Sequence, residues 1–250
     1  MKKNVIVFTG AGISQCSGVS TFRDNNGLWE NHNVEDVCSP KGFKKNPKLV
    51  WSFYKQRFDQ LKTIWPNAAH LAIANLQQRV EAKGLNFILV TQNVDNLHQA
   101  AHSKNVHELH GNFNIKCDRC EFTSEDTSYW DNEEVPSCPS CGHLLRPNIV
   151  WFGEMPNEKA YHLAMDALED CHSFLVVGTS CQVYPAAQIA KSAVKRNIRV
   201  FECNIKSSLE YDAFGKPNYH FLKGKASVVV PEACNRIYNK ILTDLSGEMK

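Results

Sequence analysis

Short apolar runs alternate with helical patterns along most of this chain, and the alternation restricts the fold more than any other feature. Each run is rich in β-branched residues and ends at or just before a glycine, threonine or asparagine, which is typical of a strand buried on both faces. The alternation predicts a doubly wound α/β fold whose ligand site lies at the carboxyl ends of parallel strands. The predicted strands are 5–9, 87–91, 174–177 and 198–204, and the predicted helices are 67–83, 158–170, 185–197, with Pro185 in its first turn, and about 231–245.

Four of the ten cysteines form two Cys-x2-Cys pairs separated by 17 residues. Two such pairs supply four thiolates for a closed tetrahedral zinc site, which makes the predicted metal structural. The alternatives are a redox pair or four unrelated thiols. A disulfide framework is not expected in a chain of this length that shows no export signal. The predicted zinc ligands are Cys117, Cys120, Cys138 and Cys141, and the cysteines without ligand spacing are Cys16, Cys38, Cys171, Cys181, Cys203 and Cys234.

Two stretches interrupt the alternation, and we predict that together they build a smaller lobe. Residues 30–65 are rich in aromatic and basic side chains, whereas residues 112–148 hold the cysteine pairs, prolines and polar turns. The predicted fold is therefore a Rossmann-like doubly wound parallel sheet with a smaller lobe that is helical in 30–65 and a zinc ribbon in 112–148. The Rossmann-like domain would consist of residues 1–29, 66–111 and 149–250.

Composition excludes several classes of protein. The 250 residues are 43% hydrophobic and 22% charged, which is ordinary for a globular chain. The 28 basic residues nearly balance the 26 acidic ones, and the net charge is +2. Such a small charge gives no electrostatic argument for a nucleic-acid or membrane partner. The apolar run at Val5 leaves no room for a signal peptide, and no apolar stretch approaches the roughly 20 residues that span a bilayer. We expect a cytoplasmic protein.

Polar residues at two predicted strand ends are candidates for a ligand site. Gly10-Ala11-Gly12 follows the first strand, where glycines let the backbone approach a phosphate. A lone Gly-x-Gly is a weak signal that a plain strand-to-helix turn explains nearly as well, and Gln15 stands where a dehydrogenase has its third glycine. The second strand end carries polar residues where a core would stay apolar, although capping residues of a turn are the alternative. These polar residues are Gln92, Asn93 and Asp95.

A helical pattern that opens at Asn46 and Pro47 places Arg57 inside an apolar stripe. Such a guanidinium either extends to the surface or binds an anion, and the first case is commoner. Tyr54 lies three residues earlier on the same face, and a phenol beside a guanidinium can bind a carboxylate. The stripe consists of Val50, Phe53, Tyr54, Arg57, Phe58 and Leu61.

The chain also carries a series of short motifs in a fixed order. They are 10–18 (GAGISQCSG), 21–23 (TFR), 27–29 (GLW), 91–98 (TQNVDNLH), 107–111 (HELHG), 178–180 (GTS) and 183–187 (VYPAA). The segment His107-Glu108-Leu109-His110 is not the His-Glu-x-x-His motif of metalloproteases, since Gly111 follows. Read in order, these motifs resemble those of the sirtuins across nearly the whole chain. The Tyr54-x-x-Arg57 arrangement, with 66–70 and 150–154, further resembles the bacterial-type class III sirtuins, which remove succinyl, malonyl or glutaryl groups.

The resemblance implies an NAD-dependent protein deacylase that consumes NAD as a co-substrate and releases lysine, nicotinamide and O-acyl-ADP-ribose. It implies His110 as general base, which the sequence alone would not select among ten histidines. Acyl-lysine proteins are the expected partners, and a monomer is favoured. The alternatives are a mono-ADP-ribosyltransferase and a non-catalytic zinc-ribbon binding module. The implied cofactor-binding residues are Gly10, Ala11, Gly12, Ile13, Ser14, Phe22, Arg23, Trp29, Gln92, Asn93, Val94, Asp95, Gly178, Thr179, Ser180, Asn204, Ile205, Lys206 and Ala226, and the implied substrate-binding residues are Tyr54, Arg57, Val150, Phe152 and Gly153.

Overall fold

A computed structural model describes residues 2–20, 28–29 and 32–248, and of residues 28, 29 and 248 it describes the backbone only. Within these ranges the chain forms one large sheet, a three-stranded sheet and a two-stranded ribbon. The strands are β1 (Asn4–Thr9), β2 (Leu28–Trp29), β3 (His32–Asn33), β4 (Asn86–Thr91), β5 (Val106–Glu108), β6 (Gly111–Cys117), β7 (Thr123–Ser124), β8 (Leu145–Ile149), β9 (Cys171–Val177), β10 (Arg199–Asn204) and β11 (Tyr219–Lys223).

Helices flank the large sheet and also occupy the part of the chain between its strands β1 and β4. Side chains of Asn46 and Asn67 accept hydrogen bonds from backbone amides at the starts of two helices, as capping residues do. The helices are α1 (Val34–Val37), α2 (Pro40–Lys45), α3 (Pro47–Leu61), α4 (Ala68–Glu81), α5 (Leu97–Ala100), α6 (Glu158–Ala167), α7 (Ala187–Lys195) and α8 (Ala226–Glu248). Among the residues described, no helix is both long and apolar enough to cross a membrane.

The large sheet is parallel throughout and has the order β11-β10-β9-β1-β4-β5. The chain builds outward from β1 in both directions, so the strand order reverses between β1 and β9. In open α/β sheets the crevice at such a switch point is where ligands bind. The fold therefore places the candidate site at the carboxyl ends of β1 and β9.

Two apolar layers bury the faces of this sheet. Val5 and Val7 of β1 point into a cluster that includes side chains of α4 and α8, whereas Ile6 and Phe8 point into a second cluster that includes α6 and α7. All four side chains are fully buried. Because successive strand residues face opposite sides, a strand covered on both faces must be apolar at every position.

The smaller lobe has one apolar cluster to which both interrupting stretches contribute. Trp51 of α3 stacks on Trp130, with ring centroids 4.5 Å apart and ring planes 8° from parallel. The Trp130 indole N–H donates a hydrogen bond to the Phe113 carbonyl at 2.9 Å, and both tryptophans are fully buried. This shared cluster supports the predicted division of the chain, whose exact boundaries stay a prediction.

The structure confirms the doubly wound parallel sheet and differs from the predicted elements at several points. β5 and β11 were not predicted, because three or five residues at a sheet edge carry little apolar periodicity. Helix α7 begins at Ala187, after Pro185 rather than around it. Helix α8 begins at Ala226 and contains Pro231, one turn inside the helix. Only the backbone carbonyl four residues earlier loses its donor there, so the helix tolerates this proline.

We predict that Trp130→Ala lowers the free energy of unfolding by about 3–5 kcal/mol, since it leaves a large cavity and removes a buried hydrogen bond. Denaturant unfolding of the zinc-loaded protein measures this loss. Trp65→Ala is the matched control, because Trp65 is 77% exposed; its expected change is within about 0.5 kcal/mol. Equal losses in both variants would contradict a core role for Trp130.

Candidate active site

The crevice at the switch point is lined by two turns that touch backbone to backbone. The Gly12 amide donates a hydrogen bond to the Gly178 carbonyl at 2.8 Å. A Cβ atom placed on Gly12 would lie 2.7 Å from the Gly178 Cα atom. The glycines are therefore required first by the approach of one turn to the other. Ala11–Ile13 and Gln15–Ser17 form short 3₁₀ turns, so no α-helix directly follows β1.

A buried hydrogen-bonded cluster lies beside this turn. The Ser14 hydroxyl donates to the Asp95 carboxylate at 2.6 Å, and the Asn93 side-chain amide donates to the Ser14 oxygen at 3.2 Å. The Leu97 backbone amide donates to the other Asp95 oxygen at 3.0 Å. Burial raises the pKa of Asp95, and these hydrogen bonds oppose the shift. The cluster holds a carboxylate and an amide in fixed positions at the mouth of the crevice.

Side-chain hydrogen bonds join the ends of four neighbouring strands. Thr9 donates to Thr91 at 2.8 Å, which ties β1 to β4. Gln92 donates to the Thr179 hydroxyl at 3.0 Å, and Asn204 donates to the Thr179 carbonyl at 2.8 Å. The predicted residues at the ends of β4, β9 and β10 thus lie in one connected network.

His110 lies between β5 and β6 with its ring half-buried. Its Nδ1 atom is 3.1 Å from the Gln92 carbonyl oxygen. A carbonyl only accepts, so Nδ1 carries the proton and the neutral ring presents Nε2 as a base. Burial lowers the pKa of His110, while the hydrogen bond to Gln92 opposes the shift. The ring is therefore neutral near pH 7.

Two buried histidines, which were not predicted from the sequence, contact residues of this cluster and of β1. His70 Nε2 is 3.4 Å from the Ser14 hydroxyl, and His98 Nε2 is 3.0 Å from the Thr9 hydroxyl. Burial lowers the pKa of His70 to about 4, so the ring is neutral. The available signal was the spacing of Asn67 and His70, which form a reciprocal cap at the start of α4.

The predicted acyl-binding pair lies on α3. Tyr54 is fully buried, and its hydroxyl accepts a hydrogen bond from the Trp151 indole N–H at 3.0 Å. Arg57 is half-buried, its Nε and Nη1 atoms are shielded from solvent, and its Cζ atom lies 4.8 Å from the Phe53 ring centroid. Burial raises the pKa of Tyr54 well above its usual value, so the phenol keeps its proton.

The segment that follows β8 connects this pair to His110. The Val150 amide donates to the His110 carbonyl at 2.9 Å, and Trp151 is the next residue. The Phe152 amide donates to the Cys38 carbonyl at 3.0 Å. The predicted pairing of Val150 and Phe152 with a substrate strand would therefore use groups other than these two amides, such as carbonyl oxygens.

The other predicted cofactor residues differ in their exposure to solvent. Ile205 is 61% exposed, and Lys206 is exposed as well. Ala226 is buried at the start of α8, and Val94 packs against the apolar cluster of the smaller lobe. Phe22, Arg23 and the side chain of Trp29 lie outside the described residues.

The four predicted zinc ligands come together. Their sulfur atoms all lie within 4.8 Å of one another, with 3.6 Å between Cys117 and Cys141 and 3.6 Å between Cys120 and Cys138. Zn–S bonds of about 2.3 Å in a tetrahedron give S–S distances of about 3.8 Å. The two S–S distances in the cluster are close to this value, so the cluster fits a zinc ion, whose coordination the four thiolates would complete.

Comparison with known proteins agrees with this arrangement. The sequence model of the Sir2 family matches residues 10–185. A Pyrococcus furiosus protein named NAD-dependent protein deacylase is 44% identical over 238 residues, covering 93% of this chain and 92% of its own. A Sir2 homologue solved as an NAD complex has a TM-score of 0.82 at 35% identity, with 95% of this chain and 90% of that chain covered. Sir2Af2 bound to a myristoylated histone peptide has a TM-score of 0.71 at 31% identity, with 97% and 93% covered.

The parallel sheet, the polar crevice at its switch point and the four-thiol cluster define a Rossmann-like domain joined to a zinc-binding lobe. This chain belongs to the Sir2 family.

We predict that Cys141→Ser abolishes binding of the single zinc ion per chain and destabilises the smaller lobe, since thiolate ligation supplies folding free energy. Metal content by elemental analysis and the thermal unfolding midpoint are the measurements. Cys16→Ser is the matched control, because Cys16 is exposed and lies outside the cluster. Full zinc retention in the Cys141 variant would contradict the assignment.

Proposed function

We propose that this chain removes acyl groups from protein lysines in an NAD-consuming reaction and prefers acyl groups that end in a carboxylate. Succinyl and malonyl are the preferred groups, with glutaryl and acetyl as further substrates. The observation that carries the proposal is the connection of His110 through residues 150–151 to Tyr54, which lies three residues before Arg57 on α3. A cytoplasmic location and a monomeric state stay predictions.

The crevice at the switch point is suited to NAD. Asn93 and Asp95 offer an amide and a carboxylate that would hold the nicotinamide amide, and Gln92 would face the ribose. The turns around Gly12 and Gly178, with Thr179 and Ser180, would hold the diphosphate and adenosine side. When bound, NAD would supply an electrophilic ribose carbon, at which the acyl oxygen of the modified lysine would replace the departing nicotinamide.

His110 supplies the base. With Nδ1 bonded to the Gln92 carbonyl, Nε2 accepts a proton from a ribose hydroxyl. The carbonyl then stabilises the imidazolium through the same hydrogen bond. A neutral resting ring is essential, and burial favours it.

Tyr54 and Arg57 supply acyl selectivity. The phenol donates one hydrogen bond to the distal carboxylate, and the guanidinium adds a charge-assisted, two-pronged contact. Phe53, Trp151 and Phe113 surround the pair with apolar surface. An unpaired carboxylate would be costly to bury there, so the guanidinium decides whether a succinyl group can enter.

Two other functions are less well supported. Mono-ADP-ribosyl transfer would use the same crevice but gives no reason for a phenol and a guanidinium on α3. A non-catalytic zinc-ribbon module would not need a buried Ser14, Asn93 and Asp95 cluster next to a histidine base.

We predict that deacylation falls at acid pH with a midpoint below about 6.5, the ordinary histidine pKa. Burial lowers the pKa of His110, so the neutral base persists to lower pH than a free imidazole would. His110→Ala should lose about 100-fold or more in kcat. The pH profile of kcat/KM on a succinyl-lysine peptide is the measurement. His162→Asn, at an exposed position, should keep the wild-type profile; the same loss there would remove His110 from its role.

We predict that the wild-type enzyme prefers a succinyl-lysine peptide over the matched acetyl-lysine peptide. Arg57→Met should lower kcat/KM on the succinyl peptide by roughly 30-fold or more, the effect of removing one partner of a buried charge pair. Activity on the acetyl peptide should persist. NAD-dependent release of both products is followed by mass spectrometry.

Arg79→Met serves as the control, because this arginine stacks on Tyr238 away from α3 and should affect neither peptide. Equal losses on both peptides in Arg57→Met would show that Arg57 serves folding. An acetyl preference in the wild type would keep the deacylase and remove the acyl assignment.

A further inference from the structure

A buried guanidinium lies between the zinc cluster and the acyl-binding pair. Arg146, on β8, is 1% exposed, which is unusual for an arginine. On one side its Nε atom lies 3.3 Å from a carboxylate oxygen of Asp118. Asp118 falls between the zinc ligands Cys117 and Cys120. Arg146 therefore forms an ion pair with the knuckle that the metal would hold.

On its other side Arg146 contacts the segment after β8. Its Nη2 atom donates to the Glu154 carboxylate at 2.8 Å, and the same carboxylate oxygen accepts the Trp151 backbone amide at 2.8 Å. The Arg146 Cζ atom lies 3.7 Å from the Trp151 ring centroid, a cation–π contact. Arg146 and Glu154 thus fix both the backbone and the ring of Trp151.

Trp151 transmits this position to the acyl-binding pair. Its indole N–H donates to the Tyr54 hydroxyl at 3.0 Å. A phenol oxygen that accepts this bond must direct its own proton elsewhere. The Cys38 thiol neighbours the Tyr54 hydroxyl, and a carboxylate is a stronger acceptor than a thiol, so a substrate carboxylate would take up this proton.

We propose that Arg146 is a positioning residue for acyl selectivity, acting through Trp151 to aim the Tyr54 hydroxyl at the distal carboxylate of the substrate. The inference rests on the proposed preference for acyl groups that end in a carboxylate. This role is indirect, because the Arg146 side chain is 1% exposed and offers almost no surface to a substrate or to NAD. It sets the ratio of succinyl to acetyl turnover and not the chemistry at His110.

Only an arginine satisfies all of these contacts. The planar guanidinium stacks on the indole face while its edge meets two carboxylates, whereas a lysine ammonium offers one point charge. Arg146→Lys keeps the charge between Asp118 and Glu154 and removes the stacking and the fork. Trp151→Phe keeps a ring in place and removes the N–H donor to Tyr54.

The experiment measures kcat/KM on matched succinyl and acetyl peptides for wild type, Arg146→Lys, Trp151→Phe and the double variant, with zinc per chain and the KM for NAD. Each single variant should lower the succinyl-to-acetyl ratio at least about tenfold, the lower end of what is expected for losing one hydrogen bond to a charged group. The double variant should match Trp151→Phe, because both changes act through one hydrogen bond. Zinc content and the KM for NAD should stay at wild-type values.

Lys48→Met is the control, since it breaks the exposed Lys48–Glu134 ion pair in the same lobe and should leave the ratio unchanged. If Arg146→Lys loses its zinc, Glu154→Gln replaces it and should lower the ratio alike. Parallel losses on both peptides, or additive effects in the double variant, would overturn the inference. If Arg146→Lys keeps the full succinyl preference of the wild type, the positioning role of Arg146 is overturned and the acyl proposal stands. If the wild type itself shows no succinyl preference, both proposals are overturned.

Discussion

The close backbone contact between the turns after β1 and β9 is the constraint on which the site depends. Gly12 and Gly178 approach until no side chain fits between them. This contact fixes the positions of Ser14 and Thr179. From there, hydrogen bonds through Asp95 and Gln92 reach the end of β4. The polar cluster is therefore held by hydrogen bonds to residues whose backbone this contact fixes.

The second requirement is that two lobes meet at one histidine. His110 directly precedes β6, the first strand of the three-stranded sheet in the smaller lobe, yet its ring is anchored to Gln92 in the larger domain. Its carbonyl in turn accepts the Val150 amide, where the chain leaves the smaller lobe. The proposed base therefore stands at the junction of the two lobes, where a lysine substrate and NAD would approach from different sides.

The sequence predicted the features that local patterns encode. Buried parallel strands need apolar residues at every position, so β1, β4, β9 and β10 could be located, and the paired cysteine spacing located the zinc ligands. Edge strands β5 and β11 are too short for such a signal. His70 and His98 could not be found, since their role depends on neighbours from β1 and its turn. The burial of Arg146 could not be predicted for the same reason. A single arginine in a strand forms no recognisable sequence pattern, and its position between two carboxylates arises only in the folded chain.

The proposed acyl selectivity would depend on how firmly the polar atoms of the pair are held in place. Phe53 lies against the Arg57 guanidinium, and Phe113 and Trp151 lie against the Tyr54 ring, so both polar groups are partly withdrawn from water. A distal carboxylate would accept hydrogen bonds from the phenol and from the guanidinium, whereas an acetyl group ends in a methyl group that accepts none. A site that hydrogen-bonds a substrate group discriminates against the analogue that lacks this group. That discrimination would grow with the rigidity of the pair, since a mobile arginine would turn toward water. Fixing Tyr54 through Trp151 and Arg146 would consequently raise selectivity without adding any contact to the substrate.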